Sequence, residues 1–128
     1  SIIWNGHKYK MSGIFPLELK MNKKPAGHGY TILKADKENP FFEVGEEIRG
    51  HEFHYSSPIH KEMYIDNCMA VTRGNGIDGR RDGLVYKNCY AGYTHIHASG
   101  NEKWAPAFIS IAIEYKKESK DVNFKIAV

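Results

Sequence analysis

Hydrophobic and polar residues along this chain fall mostly in short alternating or clustered runs, a pattern of strands rather than helices. Between Ile2 and Leu19 the apolar clusters are broken by Asn5-Gly6, Ser12-Gly13 and Pro16, which predicts brief strands and turns. Asn5-Gly6 reads as a hairpin turn because both residues tolerate positive φ. The run Lys20-Met21-Asn22-Lys23-Lys24 reads as a solvated turn. Gly27-His28-Gly29 leads into the β-prone run Tyr30 to Leu33, Pro40 to Gly45 is a loop with buried aromatics, and Glu46 to His54 is a strand. On that strand Ile48, Glu52 and His54 share one face, since side chains alternate with period two. Ser57-Pro58 ends it. Met63 to Val71 is β-prone again, and Arg73 to Gly83 reads as a plain, flexible hairpin tip. Leu84 to Tyr90 is the returning strand, which continues or kinks away after Gly92.

The period changes near the end. Trp104, Phe108, Ile111 and Tyr115 recur at three-to-four-residue spacing, the mark of one buried helix face. Ahead of them Ser99-Gly100-Asn101-Glu102 has the Ser-x-x-Glu form of a capping box, and Lys116-Lys117 suit the far end of the dipole. Val122 to Val128 alternates like a final strand or tail. These elements predict one strand-rich α/β domain with a helix from about Trp104.

Composition narrows the class. A chain of 128 residues, 41% hydrophobic and 12% aromatic, can build one real core. Its net charge of +3 is spread along the sequence, so nothing calls for a nucleic-acid partner. No apolar run reaches membrane-spanning length and no secretory leader is visible, which together with only two cysteines, Cys68 and Cys89, predicts a reduced, cytoplasmic protein. Opening on Ser1 without an initiator Met, the sequence reads as a piece of something longer.

Two stretches carry the chemistry. Arg49-Gly50-His51-Glu52-Phe53-His54-Tyr55-Ser56 places an acid, two imidazoles, a phenol and a hydroxyl within eight residues, and Tyr93-Thr94-His95-Ile96-His97-Ala98-Ser99 lies further along the chain. If both line one cleft, Glu52 or His54 should lie within one side-chain shell of His95. On a strand His95 and His97 would face the same side and could share a metal or a substrate. A third ligand would have to come from Glu102 or the His51/Glu52/His54 group, and no local spacing dictates it, so no metal is assigned. Cys68 and Cys89 stand in crowded, strand-like contexts without the small neighbours a nucleophile elbow needs. Both read as small buried hydrophobes. His7, His28 and His60, isolated among polar residues, are given no role.

A longer pattern joins these stretches. Tyr9-x-Met11-x-Gly13-x-x-Pro16, Gly29-Tyr30, Arg49 to Ser56, Arg73-Gly74-x-Gly76, Asp82-Gly83, Asn88 and Tyr93-x-His95-x-His97-x-Ser99 occur in an order and spacing that resembles the C-terminal part of the cobyrinic acid a,c-diamide synthase family. The resemblance covers Ile2 to roughly Phe108. It implies a strand-rich portion of a class I glutamine amidotransferase, flavodoxin-like domain, with residues 1–128 forming a partial domain that lacks the nucleophile elbow. It further implies glutamine hydrolysis, with ammonia passed to a carboxylate that ATP has activated on a tetrapyrrole acetate side chain, in cobalamin biosynthesis. By motif position His95 would be the catalytic imidazole, while Glu52, His54, Tyr55, Ser56 and His97 would orient it or line the glutamine pocket. Class I amidotransferases usually carry an acid two residues after that His. Here His97 stands there, leaving Glu52 or a backbone carbonyl as substitutes. The nucleophilic Cys would sit upstream of Tyr9 to Pro16, so the chain alone is expected to be inactive. No cofactor is expected on this portion. ATP and Mg would belong to an N-terminal synthetase domain, in the same or a separate chain, where the tetrapyrrole binds. The alternative is a non-catalytic β-rich module whose His cluster binds a metal, a tetrapyrrole or a protein partner.

Overall fold

The computed structural model describes residues 1–59 and 66–126, with side chains through Ser119. Two sheets and one helix make up these residues. The smaller sheet orders β2 (His7–Tyr9), β1 (Ile2–Trp4), β3 (Leu19–Met21) and β6 (Ser56–Pro58), with β1 and β3 parallel. The larger orders β5 (Glu47–His54), β4 (Gly27–Ala35), β7 (Asp66–Arg73), β8 (Arg81–Tyr86) and β9 (Cys89–Ala91), with antiparallel pairings throughout. The strand-rich α/β class expected from the hydropathy pattern is what the chain adopts.

Local chemistry explains most of these elements. Asn5 and Gly6 both take positive φ and close the β1–β2 hairpin, with Trp4 opposite His7. Strand β4 runs nine residues because Tyr30, Thr31, Ile32 and Leu33 suit a pleated surface, and its inward residues Leu33 and Ala35 are fully buried with Ile48, Cys68 and Met69. Full burial of an aliphatic side chain of this size contributes roughly 1.5–3 kcal/mol. Phe42 closes the cluster from the β4–β5 loop, whose shape is set by Asn39 accepting from the Phe41 and Phe42 amides.

Several expectations need correction. Lys20 and Met21 belong to β3, because β1 and β6 offer backbone partners on both sides; the turn begins only at Asn22. Leu84 to Tyr90 is not one strand: Lys87, at positive φ, turns β8 back into β9. Strand β9 ends at Ala91 and His95 makes only an isolated bridge to β5, so His95 and His97 do not stand on one strand. The helix α1 (Trp104–Ile126) includes Val122 to Ile126, where alternation suggested a strand or tail; Ala127 and Val128 lie outside the described residues, as do His60 and Met63 to Ile65. Its cap is Asn101, whose side-chain oxygen accepts from the Lys103 and Trp104 amides, because the Ser99 hydroxyl is engaged by His97. Trp104 packs against the core and Phe108 stacks on Phe41, but Tyr115 is exposed, so only the first two turns of the predicted face are seated.

The two sheets join at a short crossing. After His54 the chain passes from the larger sheet to the smaller through Tyr55 alone, and Asn22 fastens the crossing by donating from its backbone and side chain to the Tyr55 carbonyl. Among the described residues no helix is long and apolar enough to cross a membrane.

Candidate active site

The alternation of β5 turns Ile48, Glu52 and His54 inward and His51 and Phe53 outward, as the parity argument requires. Glu52 is 2% exposed, and its two oxygens are occupied by backbone donors from the β7–β8 loop. The Asn75 amide donates to Oε1 at 2.6 Å and the Gly76 amide to Oε2 at 2.9 Å. Gly74 and Gly76, both at positive φ, let that loop turn its amides toward the carboxylate. The loop that reads in sequence as a plain hairpin tip is therefore a carboxylate-binding loop. Opposite His54 in register stands Gly27, where any Cβ would overlap the His54 ring and Glu52 Oε2.

His54 is held on three sides. Its Nε2 lies 3.4 Å from Glu52 Oε2, and its Nδ1 lies 2.9 Å from the Ser56 carbonyl, which can only accept, so Nδ1 carries a proton. The ring stacks on Tyr93 with centroids 3.7 Å apart and planes 12° from parallel. The Tyr93 hydroxyl in turn pairs with Ser56 Oγ at 2.7 Å. Burial raises the Tyr93 phenol above its ordinary value, outweighing the Ser56 hydrogen bond, and the nearby Asp82 charge adds to the rise. Tyr55 faces outward and lies edge-on to Phe53. An apolar cavity of about 250 Å³ opens between the sheets, and Tyr93 forms part of its wall with Leu17, Leu19, Pro58 and Leu84.

A second buried carboxylate holds the other stretch. Asp82, fully buried on β8, accepts from Gly83 and Tyr93 amides with Oδ1 and from the Thr94 amide with Oδ2, at 2.9–3.0 Å. Next along, His95 exchanges backbone hydrogen bonds with His51, whose carbonyl accepts at 2.7 Å and whose amide donates at 3.1 Å. The two imidazoles meet edge to face, centroids 4.9 Å apart at 78°. Gly50 makes this approach possible, since a Cβ there would collide with the His95 carbonyl and the Thr94 methyl.

The two dense stretches thus come together, but through pairings other than those expected. The partner of the His95 ring is His51, while Glu52 and His54 lie on the opposite face of β5, where His54 stacks on Tyr93 and Glu52 takes the Asn75 and Gly76 amides. His97 caps the short 3-10 turn Ala98–Gly100 and pairs with Ser99. Cys68 is buried, and burial pushes its thiol up to about 11; Cys89 is half-buried on β9. Among the described residues no group of three His, Cys, Asp or Glu is placed to hold a metal ion. The sequence pattern alone assigns no site role to Asp82, Asn75 or Gly76, and none to His51 as the partner of His95. One signal was available: a carboxylate two residues before Leu84-Val85, on a strand whose apolar end enters the core, must find buried donors.

Comparison with known proteins places this architecture. Residues 3–103 match the CobB/CobQ-like glutamine amidotransferase domain. Proteins named cobyrinate a,c-diamide synthase are similar: that of Magnetococcus marinus is 40% identical over 105 residues, covering 82% of this chain and 22% of its own length. The Archaeoglobus fulgidus protein is 35% identical over 109 residues, covering 85% and 24%, and the Saccharolobus solfataricus protein 39% over 97 residues, covering 74% and 21%. The chain therefore spans less than a quarter of these relatives. No solved structure matches it. With a family model matched over residues 3–103, most of its length, the chain belongs to the CobB/CobQ-like glutamine amidotransferase family.

Proposed function

We propose that this chain carries the imidazole side of a glutaminase site, and that the ammonia released there serves ATP-dependent amidation of acetate side chains on a tetrapyrrole such as cobyrinate. The observation that carries the reading is the clamping of the His95 stretch, by Asp82 through the Tyr93 and Thr94 amides and by His51 through its backbone, which presents an exposed imidazole on a fixed support. In the reaction a cysteine thiolate attacks the glutamine carboxamide carbon, and backbone amides hold the oxyanion. His95 then gives a proton to the departing nitrogen as the C–N bond breaks, leaving a thioester that water hydrolyses to glutamate.

Cys68 is an unsuitable nucleophile, because a buried thiol with a raised pKa is neither ionised nor accessible. Cys89 lies on a strand rather than at an elbow. The nucleophile is accordingly assigned to residues outside this chain, and ATP with Mg to a synthetase domain that receives the ammonia. A cytoplasmic setting goes with this reading.

The test is His95→Ala in the intact enzyme. Glutamine-dependent amidation should fall about 10²- to 10⁴-fold, the usual contribution of a positioned acid–base group, while ammonium-dependent amidation persists. Equal loss of both activities would assign His95 to folding or to the synthetase site. The chain alone should release no glutamate from glutamine, and turnover that vanished on Cys68→Ser or Cys89→Ser would overturn the assignment of the nucleophile.

A further inference from the structure

An imidazole that cycles between base and acid must be kept in one rotamer, and a side chain against it normally does this. In this chain the position two residues after His95 is His97, and that residue is committed elsewhere: its Nδ1 lies 2.6 Å from Ser99 Oγ and accepts from the Ser99 amide while capping the 3-10 turn. Glu52, the acid nearest in sequence to His51, has its oxygens engaged by Asn75 and Gly76 and lies on the inward face of β5. The group that the fold does bring to the His95 ring is the outward-facing imidazole of His51, edge to face at 4.9 Å.

We infer that His51 is the positioning residue of the glutaminase site, holding the His95 imidazole in its working orientation in place of a carboxylate. The inference rests on the reading of His95 as the acid–base residue. Three features support it. The backbone bridge between His51 and His95 fixes the separation of the two Cα atoms, so the ring contact does not depend on a flexible loop. Gly50 removes the Cβ that would push the His95 stretch away from β5. Both rings are exposed, so their contact is not a by-product of core packing. Edge-to-face packing selects a ring plane through the π quadrupole.

The experiment compares His51→Ala and His51→Phe with His97→Ala and His95→Ala in the intact enzyme, with glutamine and with ammonium as nitrogen donor. His51→Ala should lower kcat for glutamine about 10- to 100-fold, the scale of a small misplacement of a reacting group, with glutamine KM changed less than about threefold and ammonium-dependent rates retained. His51→Phe keeps the ring edge without the nitrogens and should restore most of the loss. A wild-type rate in His51→Ala would overturn the inference. So would a rise in KM at constant kcat, which marks a substrate contact, or a larger loss in His97→Ala than in His51→Ala. Failure of Phe to rescue would overturn the packing role. Loss of ammonium-dependent activity in His51→Ala would show a structural role. If His95→Ala keeps its glutamine-dependent rate, the underlying function reading fails, whatever the His51 variants do.

Discussion

Asp82→Asn isolates the interaction on which the His95 stretch hangs. The substitution preserves volume and one oxygen. Keeping that oxygen on the Gly83 and Tyr93 amides forces the new amide nitrogen to face the Thr94 N–H, now 3.0 Å away, so two donors confront each other. A hydrogen bond to a charged acceptor contributes about 1.5–3 kcal/mol, and a buried donor left unsatisfied costs about 1–3 kcal/mol. Removing a buried charge returns part of its desolvation cost, which leaves a net loss of about 2–4 kcal/mol. In urea, with a slope of about 2 kcal/mol per molar, the unfolding midpoint should drop by about 1–2 M. Tryptophan fluorescence follows the transition, and amide exchange locates the damage: the Tyr93 and Thr94 amides should lose protection while those pairing β4 with β5 keep theirs. A midpoint shift below about 0.3 M, or unchanged protection at Tyr93 and Thr94, would refute the clamp.

Two further predictions concern the same packing. Gly27→Ala should cost about 1–3 kcal/mol in a urea melt because its Cβ overlaps the Glu52/His54 pair, whereas Gly100→Ala, which enters open space, should stay within about 0.5 kcal/mol; equal midpoints would dismiss the overlap. Stability should fall as pH rises past about 9, because the unfolded thiol (9.0) and phenols (10.0) lose protons there while Cys68, near 11, and the raised Tyr90 and Tyr93 retain theirs in the fold. The native state then binds more protons than the unfolded one, so the slope is negative. Cys68→Ala should flatten the early part of the fall in chemical melts taken between about pH 8 and 11.

How far the sequence could be read depended on whether a feature was local. The parity of β5 was legible because alternation is steric, and it correctly turned Ile48, Glu52 and His54 to one side. The Asn5-Gly6 turn was legible for the same kind of reason. Lys87 at the β8–β9 turn was not, since a Lys-Asn pair is a weak turn signal and only the register of Val85 with Tyr90 reveals it. The choice of Asn101 over Ser99 as helix cap depended on a competing bond from His97. Capture of Glu52 by amides 23 and 24 residues away leaves no trace in spacing at all.

That same parity divides the candidate site. Successive β5 side chains point to opposite faces, so His51 and Glu52 cannot serve one reacting atom, however close they stand in sequence. The Tyr93 to His95 stretch spans the division: the Tyr93 ring stacks on inward-facing His54, and the His95 ring meets outward-facing His51. Its backbone is gripped between them, by Asp82 through Tyr93 and Thr94 and by His51 through His95. The inner residues, Glu52, His54, Tyr93 and Asp82, have their polar groups turned on one another, on Ser56 or on backbone amides, leaving them little capacity to bind a substrate. Their role is to fix where the outer pair stands. A cluster that reads in sequence as one set of reactive groups is thus, by its hydrogen bonds, a buried support carrying a two-imidazole edge.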